Sequence, residues 1–261
     1  MNNLLRQLKA EVNSWACRRE PTFYIEHTAA MTYARNLFFD HPLIRRCRED
    51  VLPFLNDGFG HGIEHSKKVA IEAGALVMAE CDRWGVESCR NMALCAELAG
   101  LIHDICRMEP DHAAQGAEMS GFILQDYPLT DEDKAIIAFA VRNHEAFKPV
   151  ERVNDPAFAF LSGALYDADK FRWGPDNFVT TLWEICDYQE WPLEKIVERF
   201  PTAIDMVSAI KDTFRTQTGQ AYGPEFIDIG LELGRHVFRR LKVLCEEKDC
   251  AGLTLTSEIV F

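Results

Sequence analysis

The amino-acid sequence predicts an all-α protein. Apolar residues recur at the three- to four-residue spacing of a helix in most of the chain. Strict alternation of apolar and polar residues, which is typical of a half-buried strand, is nearly absent, and only the tail at 253–261 looks extended. Proline and glycine separate the helical segments from one another. These observations favour a bundle in which each helix buries one face against its neighbours.

Three helices are predicted in the first half of the bundle. The first covers about residues 64–84 and is closed by Gly85. The second, which is very apolar, runs from about Glu87 to Ile105. The third begins near Asp111, a candidate N-cap, and ends before Pro128.

Capping and proline signals mark the later helices. Thr130 and Asp133 have the spacing of a capping box, and the helix that follows is predicted to reach His144. Pro156 stands at the first position of another helix, which runs to about residue 170. Three prolines are each predicted to open a later segment: Pro175, Pro192 and Pro224.

A length of 261 residues without a visible linker predicts a single domain in three parts. Residues 1–57 form a helical N-terminal extension that we expect to pack on the core, with contact to another subunit as the alternative. Residues 58–175 form the core that carries the candidate site. Residues 176–261 add helices that complete the same domain.

Charge and composition exclude several classes of partner. Lys and Arg number 28 against 41 Asp and Glu, so the net charge is −13, which argues against nucleic acid polymers and anionic membranes. The chain has no apolar run long enough for a membrane span and no signal peptide at its N-terminus. The nine cysteines are odd in number and irregularly spaced, which favours reduced thiols and a cytoplasmic location.

The tripeptide Ile102-His103-Asp104 is the strongest local signal of chemistry, because it ends the most apolar predicted helix. Burying an imidazole and a carboxylate there is costly unless a cation compensates. Both side chains can approach one metal, or Asp104 can bridge two. If His103 and Asp104 stood alone, they would more often be ordinary residues that form hydrogen bonds at a helix end.

Four further candidate ligands also lie at or near the ends of predicted helices. Three are histidines, and with His103 they make four of the eight histidines in the chain. Together the six side chains offer four imidazoles and two carboxylates, enough for a mixed nitrogen and oxygen site with one or two metals. The four residues are His65, His112, His144 and Asp169.

The order of these residues resembles that of the HD-domain metal-dependent phosphohydrolase superfamily. The resemblance covers about residues 58–175 and departs at Cys106, where Gly is common. It implies a helical bundle of the HD-domain type, with ligands from helix ends pointing inward. The matching motifs are His65-x-x-x-Val69, His103-Asp104-Ile105-Cys106-Arg107, His112-x-x-x-Gly116-Ala117 and Ala168-Asp169-Lys170-Phe171.

The two additional histidines resemble the branch of that superfamily with a binuclear metal site. The resemblance implies one ion held by His65, His103 and Asp169, a second held by His112 and His144, and Asp104 bridging both. We expect divalent metal at one or two ions per chain, with two preferred at a separation of about 3.5–4 Å. Fe or Mn is favoured, with Mg, Zn, Ni or Co as alternatives.

The implied function is that of a hydrolase acting on a small phosphorylated substrate, with a nucleotide as one candidate, through a metal-activated hydroxide. Asp104 is central to this chemistry, His61 is a candidate for proton transfer, and Arg107 and Lys170 are candidate phosphate contacts. Two alternatives remain open. One is a mixed-valent diiron oxygenase of the myo-inositol oxygenase kind, and the other is a nucleotide-sensing module without turnover.

Overall fold

The structure, a computed structural model, describes residues 3–16, 19–55 and 62–256. These residues contain α-helices and no strand, so the all-α prediction is confirmed. The α-helices are α1 (Asn3–Ala16), α2 (Thr22–Glu26), α3 (Thr28–Asp40), α4 (Pro42–Val51), α5 (Ile63–Ala79), α6 (Val86–Ile102), α7 (His112–Ile123), α8 (Asp131–Arg142), α9 (Pro156–Phe171), α10 (Leu182–Tyr188), α11 (Leu193–Ile210) and α12 (Gln217–Thr256).

Helices α5, α6 and α9 pack against one another, and α8 packs on α6 and α9, so that these four form the centre of the bundle, while α7 packs on α8. The middle of α5 and most of α6 are buried on every face, which explains their continuous apolar sequence. The closest approach is at Gly100 of α6, where an added Cβ would lie 2.5 Å from Cα of Ala70. This close contact brings the beginning of α5 beside the end of α6.

The peripheral helices enclose this centre from two sides. Helix α3 packs on α5, α4 packs on α6, and α1 packs against α12. Helix α11 packs along α12, which in turn contacts α9. The described part of the N-terminal extension therefore packs on the bundle of its own chain. None of the helices in the described ranges is long and apolar enough to cross a bilayer.

Several predicted helix starts are confirmed. The capping box of Thr130 and Asp133 is formed, and Asp155 caps the helix that begins with Pro156. Asp111 stands at the N-cap position of α7, but its side chain makes no capping hydrogen bond and its φ is 52°.

Two predictions for the C-terminal part are wrong. Pro224 lies inside α12 instead of opening a helix, because α12 already begins at Gln217. Its start is set by Thr216, whose hydroxyl accepts a hydrogen bond from the N–H of Gly219 at 2.8 Å. Residues 253–256, predicted to be extended, continue the same helix, and 257–261 lie outside the described residues.

The prediction of reduced cysteines is wrong for one pair. Cys81 and Cys89 form a disulfide, with Cα atoms 5.6 Å apart. The chain reverses between them at Gly85, whose φ of 76° favours glycine, and this reversal brings the two sulfurs together. The free cysteines of the described residues are Cys47, Cys95, Cys106, Cys186 and Cys245.

Candidate metal centre

The six predicted ligands converge in the interior of the bundle. They come from five places in the chain: α5, the turn after α6, the first residue of α7, the turn after α8, and the last part of α9. Their ligand atoms divide into two groups, each within 4.8 Å of one another. We call His65, His103 and Asp169 the first triad, and Asp104, His112 and His144 the second triad.

The first triad is compact. The Nε2 atoms of His65 and His103 lie 3.2 Å apart. Oδ1 of Asp169 lies 3.4 Å from Nε2 of His65 and 4.0 Å from Nε2 of His103. Three potential ligand atoms therefore face a common point.

The second triad has nearly the same dimensions. The Nε2 atoms of His112 and His144 lie 3.3 Å apart. Oδ1 of Asp104 lies 3.6 Å from the first of these nitrogens and 3.4 Å from the second. The two triads thus present two similar sets of ligand atoms.

The carboxylate of Asp104 connects the triads. While Oδ1 faces the second triad, Oδ2 lies 3.3 Å from Nε2 of His103 and 3.7 Å from Nε2 of His65. One oxygen is therefore directed to each set of imidazoles, which is the arrangement a bridging carboxylate requires.

The donor set fits divalent cations. Ligand atoms about 2.1 Å from one ion, at angles of about 90–110°, lie about 3.0–3.4 Å from each other. Most of the separations within the two triads are in or near this range. Imidazole and carboxylate ligands together suit Fe, Mn and Zn, and do not discriminate among them.

Two of the imidazoles are oriented by the same local device. Nδ1 of His103 donates to the carbonyl of Gly100 at 2.8 Å, and Nδ1 of His144 donates to the carbonyl of Val141 at 2.7 Å. In each case the carbonyl lies three residues earlier, at the end of a helix. A neutral imidazole that donates from Nδ1 keeps its lone pair on Nε2, which here points into the site.

This device explains why both helices end earlier than predicted. Helix α6 stops at Ile102 and α8 at Arg142, before their histidines. The side chains of His103 and His144 bind carbonyls that a longer helix would pair with backbone N–H groups. The ligands lie in the turns that follow the helices.

Lys170 holds one oxygen of the last ligand. Its ammonium group donates to Oδ2 of Asp169, which leaves Oδ1 directed to the imidazoles of His65 and His103. The Lys170 side chain is only 3% exposed and lies 4.9 Å from the centroid of the Tyr166 ring. A buried ammonium so placed positions Asp169, and its predicted contact with phosphate remains a prediction.

Arg107 lies beside the second triad. Its guanidinium donates to Nε2 of His112 at 3.1 Å and lies 3.9 Å from Oδ1 of Asp104. The side chain is 38% exposed, so it can reach both the site and solvent. The structure therefore brings Arg107 to the centre, as the sequence predicted. His61 lies outside the described residues.

Electrostatics differ between the two triads. Burial by itself lowers the pKa of His103, but the carboxylates of Asp104 and Asp169 outweigh this and raise it. Burial, the neighbouring His144 and the guanidinium of Arg107 together lower the pKa of His112 to about 4. Asp169 keeps a pKa well below its usual value, because Lys170 and two imidazoles outweigh its burial. The surroundings of His103 thus favour its protonation, whereas those of His112 disfavour it.

A cavity of about 320 Å³ opens onto the centre. Its polar side carries ligands from both triads together with Arg107, Glu145 and Lys170. Its apolar side includes Phe147 and Trp173, whose rings meet edge to face at 6.4 Å. The volume suits a small molecule.

A set of contacts that the sequence did not predict joins the ends of α8 and α9 to the segment before α12. The guanidinium of Arg215 donates to the carbonyl of Asn143 at 2.7 Å and stacks 3.5 Å from the Tyr166 ring centroid. Buried Asp167 accepts hydrogen bonds from the N–H groups of Arg215 and Thr216, both at 2.8 Å. These contacts fix the segments just before His144 and Asp169. They join residues far apart in the sequence, so no local motif predicts them.

No protein-family model matches the chain, and neither a curated protein nor a solved structure matches it. The resemblance to the HD-domain superfamily therefore rests on the order of the six residues and on their convergence in the bundle.

Proposed function

We propose that the protein is a metal-dependent phosphohydrolase acting on a small phosphate ester, with a nucleotide as one candidate substrate. The observation that carries this proposal is the placement of Asp104, whose two carboxylate oxygens face different triads. Two divalent cations bound there would polarise phosphoryl oxygens and lower the pKa of water to about 7.

The protein's own residues supply orientation and charge. The carbonyls of Gly100 and Val141 hold two imidazoles with Nε2 inward, and Lys170 keeps Oδ1 of Asp169 in place. Arg107, at the mouth of the second triad, can donate to phosphoryl oxygens and stabilise negative charge that develops during transfer. The net charge of −13 does not exclude an anionic substrate, because the charge of the bound cations would dominate the electrostatic field at the site.

Proton transfer can be assigned to a residue that lines the same cavity. Glu145 has a side chain that is 23% exposed, and one of its oxygens lies 4.0 Å from Nδ1 of His112. It can accept a proton from water or return one to the leaving oxygen. Phe147 and Trp173 give the rest of the substrate an apolar surface on which to pack.

The decisive experiment combines metal analysis with turnover. The full-length protein, purified anaerobically, is assayed for phosphate release from p-nitrophenyl phosphate with Mn²⁺ or Fe²⁺. We expect release that a chelator abolishes and added metal restores. Arg107→Ala should lower kcat/KM by about 100-fold while metal content stays unchanged, and exposed His236→Ala serves as the matched control.

The rival functions give different outcomes in the same experiment. A coloured iron protein that consumes O₂ and releases no phosphate would identify an oxygenase. Tight nucleotide binding without any turnover would identify a sensing module. Absence of bound metal in the wild-type protein would contradict the proposal and both rivals that share this centre.

A further inference from the structure

A second and larger cavity lies between the N-terminal helices and the bundle, with a volume of about 820 Å³. Residues of α1 and α3 and of the segment around α2 form one wall, and residues of α5 and the end of α9 form the other. Arg172 lines both this cavity and the cavity of the metal centre. We call the larger one the N-terminal cavity.

Positive side chains predominate in its lining, although the whole protein carries a charge of −13. Three carboxylates also line it, namely Glu20, Glu72 and Asp176. The excess of cations marks a local reversal of the overall charge. The five cationic residues are Arg19, Arg35, Lys67, Lys68 and Arg172.

Two of the three carboxylates are already neutralised by ion pairs. Arg172 contacts Oε1 of Glu72 at 2.6 Å and Oδ2 of Asp176 at 2.7 Å. Lys68 contacts the same oxygen of Asp176 at 2.9 Å. This network is a preformed polar wall, with Glu72 and Arg172 almost fully buried.

Arg35 is the lining cation that has no ion pair with a described residue, whereas Arg19 pairs with Glu225 and Glu232. It is exposed on α3, and no ion pair or hydrogen bond joins its side chain to another described residue. Lys67 lies across the cavity on α5 and pairs at 2.8 Å with Glu64, which is outside the lining. An anion entering the cavity would therefore meet a guanidinium that is not paired with any described residue.

Most of the remaining lining is apolar. The side chains of Met31, Ile71, Phe171 and Phe226 are buried and form part of the cavity's wall. Phe39 is half exposed and also belongs to the lining. A polar wall next to an apolar one is typical of sites for small organic ligands.

We propose that the N-terminal cavity binds a small amphipathic anion, a phosphate, sulfonate or carboxylate attached to an apolar or aromatic body. The anionic group pairs with Arg35, and the apolar body packs on Met31, Ile71 and the phenylalanines. This site is separate from the two triads and requires no metal ion.

The probe for this proposal is 1-anilinonaphthalene-8-sulfonate, whose fluorescence rises in apolar surroundings, titrated into the full-length protein. Its uncharged analogue N-phenyl-1-naphthylamine tests the need for the anion. We expect the sulfonate to bind at least about 10-fold more tightly, and added salt to reduce the difference.

Charge variants localise the site. Arg35→Glu should weaken sulfonate binding about 10-fold, whereas Glu20→Lys should tighten it, because each changes the charge of the lining by two units in opposite directions. Arg235→Glu, on an exposed position of α12, is the matched control and should bind as the wild type does.

The proposal is overturned if Arg35→Glu and Arg235→Glu bind the sulfonate equally, or if the uncharged analogue binds as tightly as the sulfonate. Metal content and circular dichroism are measured on each variant, and both should equal those of the wild type. A failure here therefore leaves the proposed phosphohydrolase function untouched, and the reverse also holds.

Discussion

Two buried carboxylates near the end of the same helix have opposite surroundings. Glu97 lies within α6, and Asp104 lies in the turn that follows it. Both side chains are almost completely excluded from solvent. Glu97 has no hydrogen-bond partner for either oxygen among the described residues, and it packs against Gly74 of α5. Asp104 has four imidazole nitrogens within 3.7 Å.

The comparison shows that burial alone does not make a site. Burial raises the pKa of Glu97 to about 10, which favours the neutral acid at this position. Around Asp104, inward-facing imidazoles supply ligand atoms that a cation can share with the carboxylate. A proton would offset the burial of Glu97, and a divalent cation would offset the burial of Asp104.

The largest effect is expected from removing the bridge. Asp104→Asn should reduce bound metal from about two ions per chain to nearly none, because both sites lose their shared ligand. Glu97→Gln replaces a nearby buried acid by its amide in the same way and should keep the full metal content. Elemental analysis of both variants checks this, and equal metal content would refute the bridging role.

A smaller effect is expected when one triad is damaged. His112→Ala should lose about one ion per chain and keep the other, because His65, His103, Asp169 and the bridge remain. His65→Ala should remove the ion at the first triad. If His112→Ala slows turnover while the stoichiometry stays at that of the wild type, His112 contacts substrate instead of metal.

The pH dependence of stability tests the other carboxylate. The pKa of Glu97 is raised from 4.5 to about 10 in the folded state, so between these values the native protein holds one more proton than the unfolded chain. The free energy of unfolding should therefore fall as pH rises through this window, by up to about 1.4 kcal/mol per pH unit.

Glu97→Gln cannot ionise and should lose this contribution. Denaturant unfolding at pH 6 and pH 8 should show a weaker decline in the variant and higher stability than the wild type at pH 8. Parallel curves for the two proteins would show that Glu97 is not protonated in the native state.

The smallest effect concerns the packing of Glu97. A Cβ at Gly74 would lie 2.7 Å from Oε1 and 2.9 Å from Cγ of Glu97. Gly74→Ala should therefore destabilise the protein by about 1–3 kcal/mol. In a Glu97→Ala background the same change should cost less, and a double-mutant cycle measures the coupling. Strict additivity would show that the two residues do not press on each other.

The sequence predicted the fold class and the cluster of six histidine and aspartate residues, because the signals for both are local. Helical spacing, capping boxes and the His103-Asp104 pair need only a few neighbouring residues. The convergence of the six ligands, by contrast, depends on packing such as that of Gly100 against Ala70. The convergence of the six residues was predicted only from the resemblance to a known family.

Other features could not be predicted because they join distant segments. Arg215 contacts the carbonyl of Asn143 across 72 residues of chain, and Asp167 caps a segment 48–49 residues away. The early helix ends were missed since an imidazole bound the carbonyl that a backbone N–H would otherwise take. The N-terminal cavity arises only when the extension packs on the bundle.

The position of Arg172 has a thermodynamic consequence. Arg172 lines both cavities, and its backbone N–H donates to the carbonyl of Asp169, a member of the first triad, at 3.1 Å. A ligand that shifted Arg172 in one cavity would change the geometry of the other. Linkage requires such a coupling free energy to be reciprocal: whatever factor an anion imposes on cation affinity, the cation imposes on anion affinity.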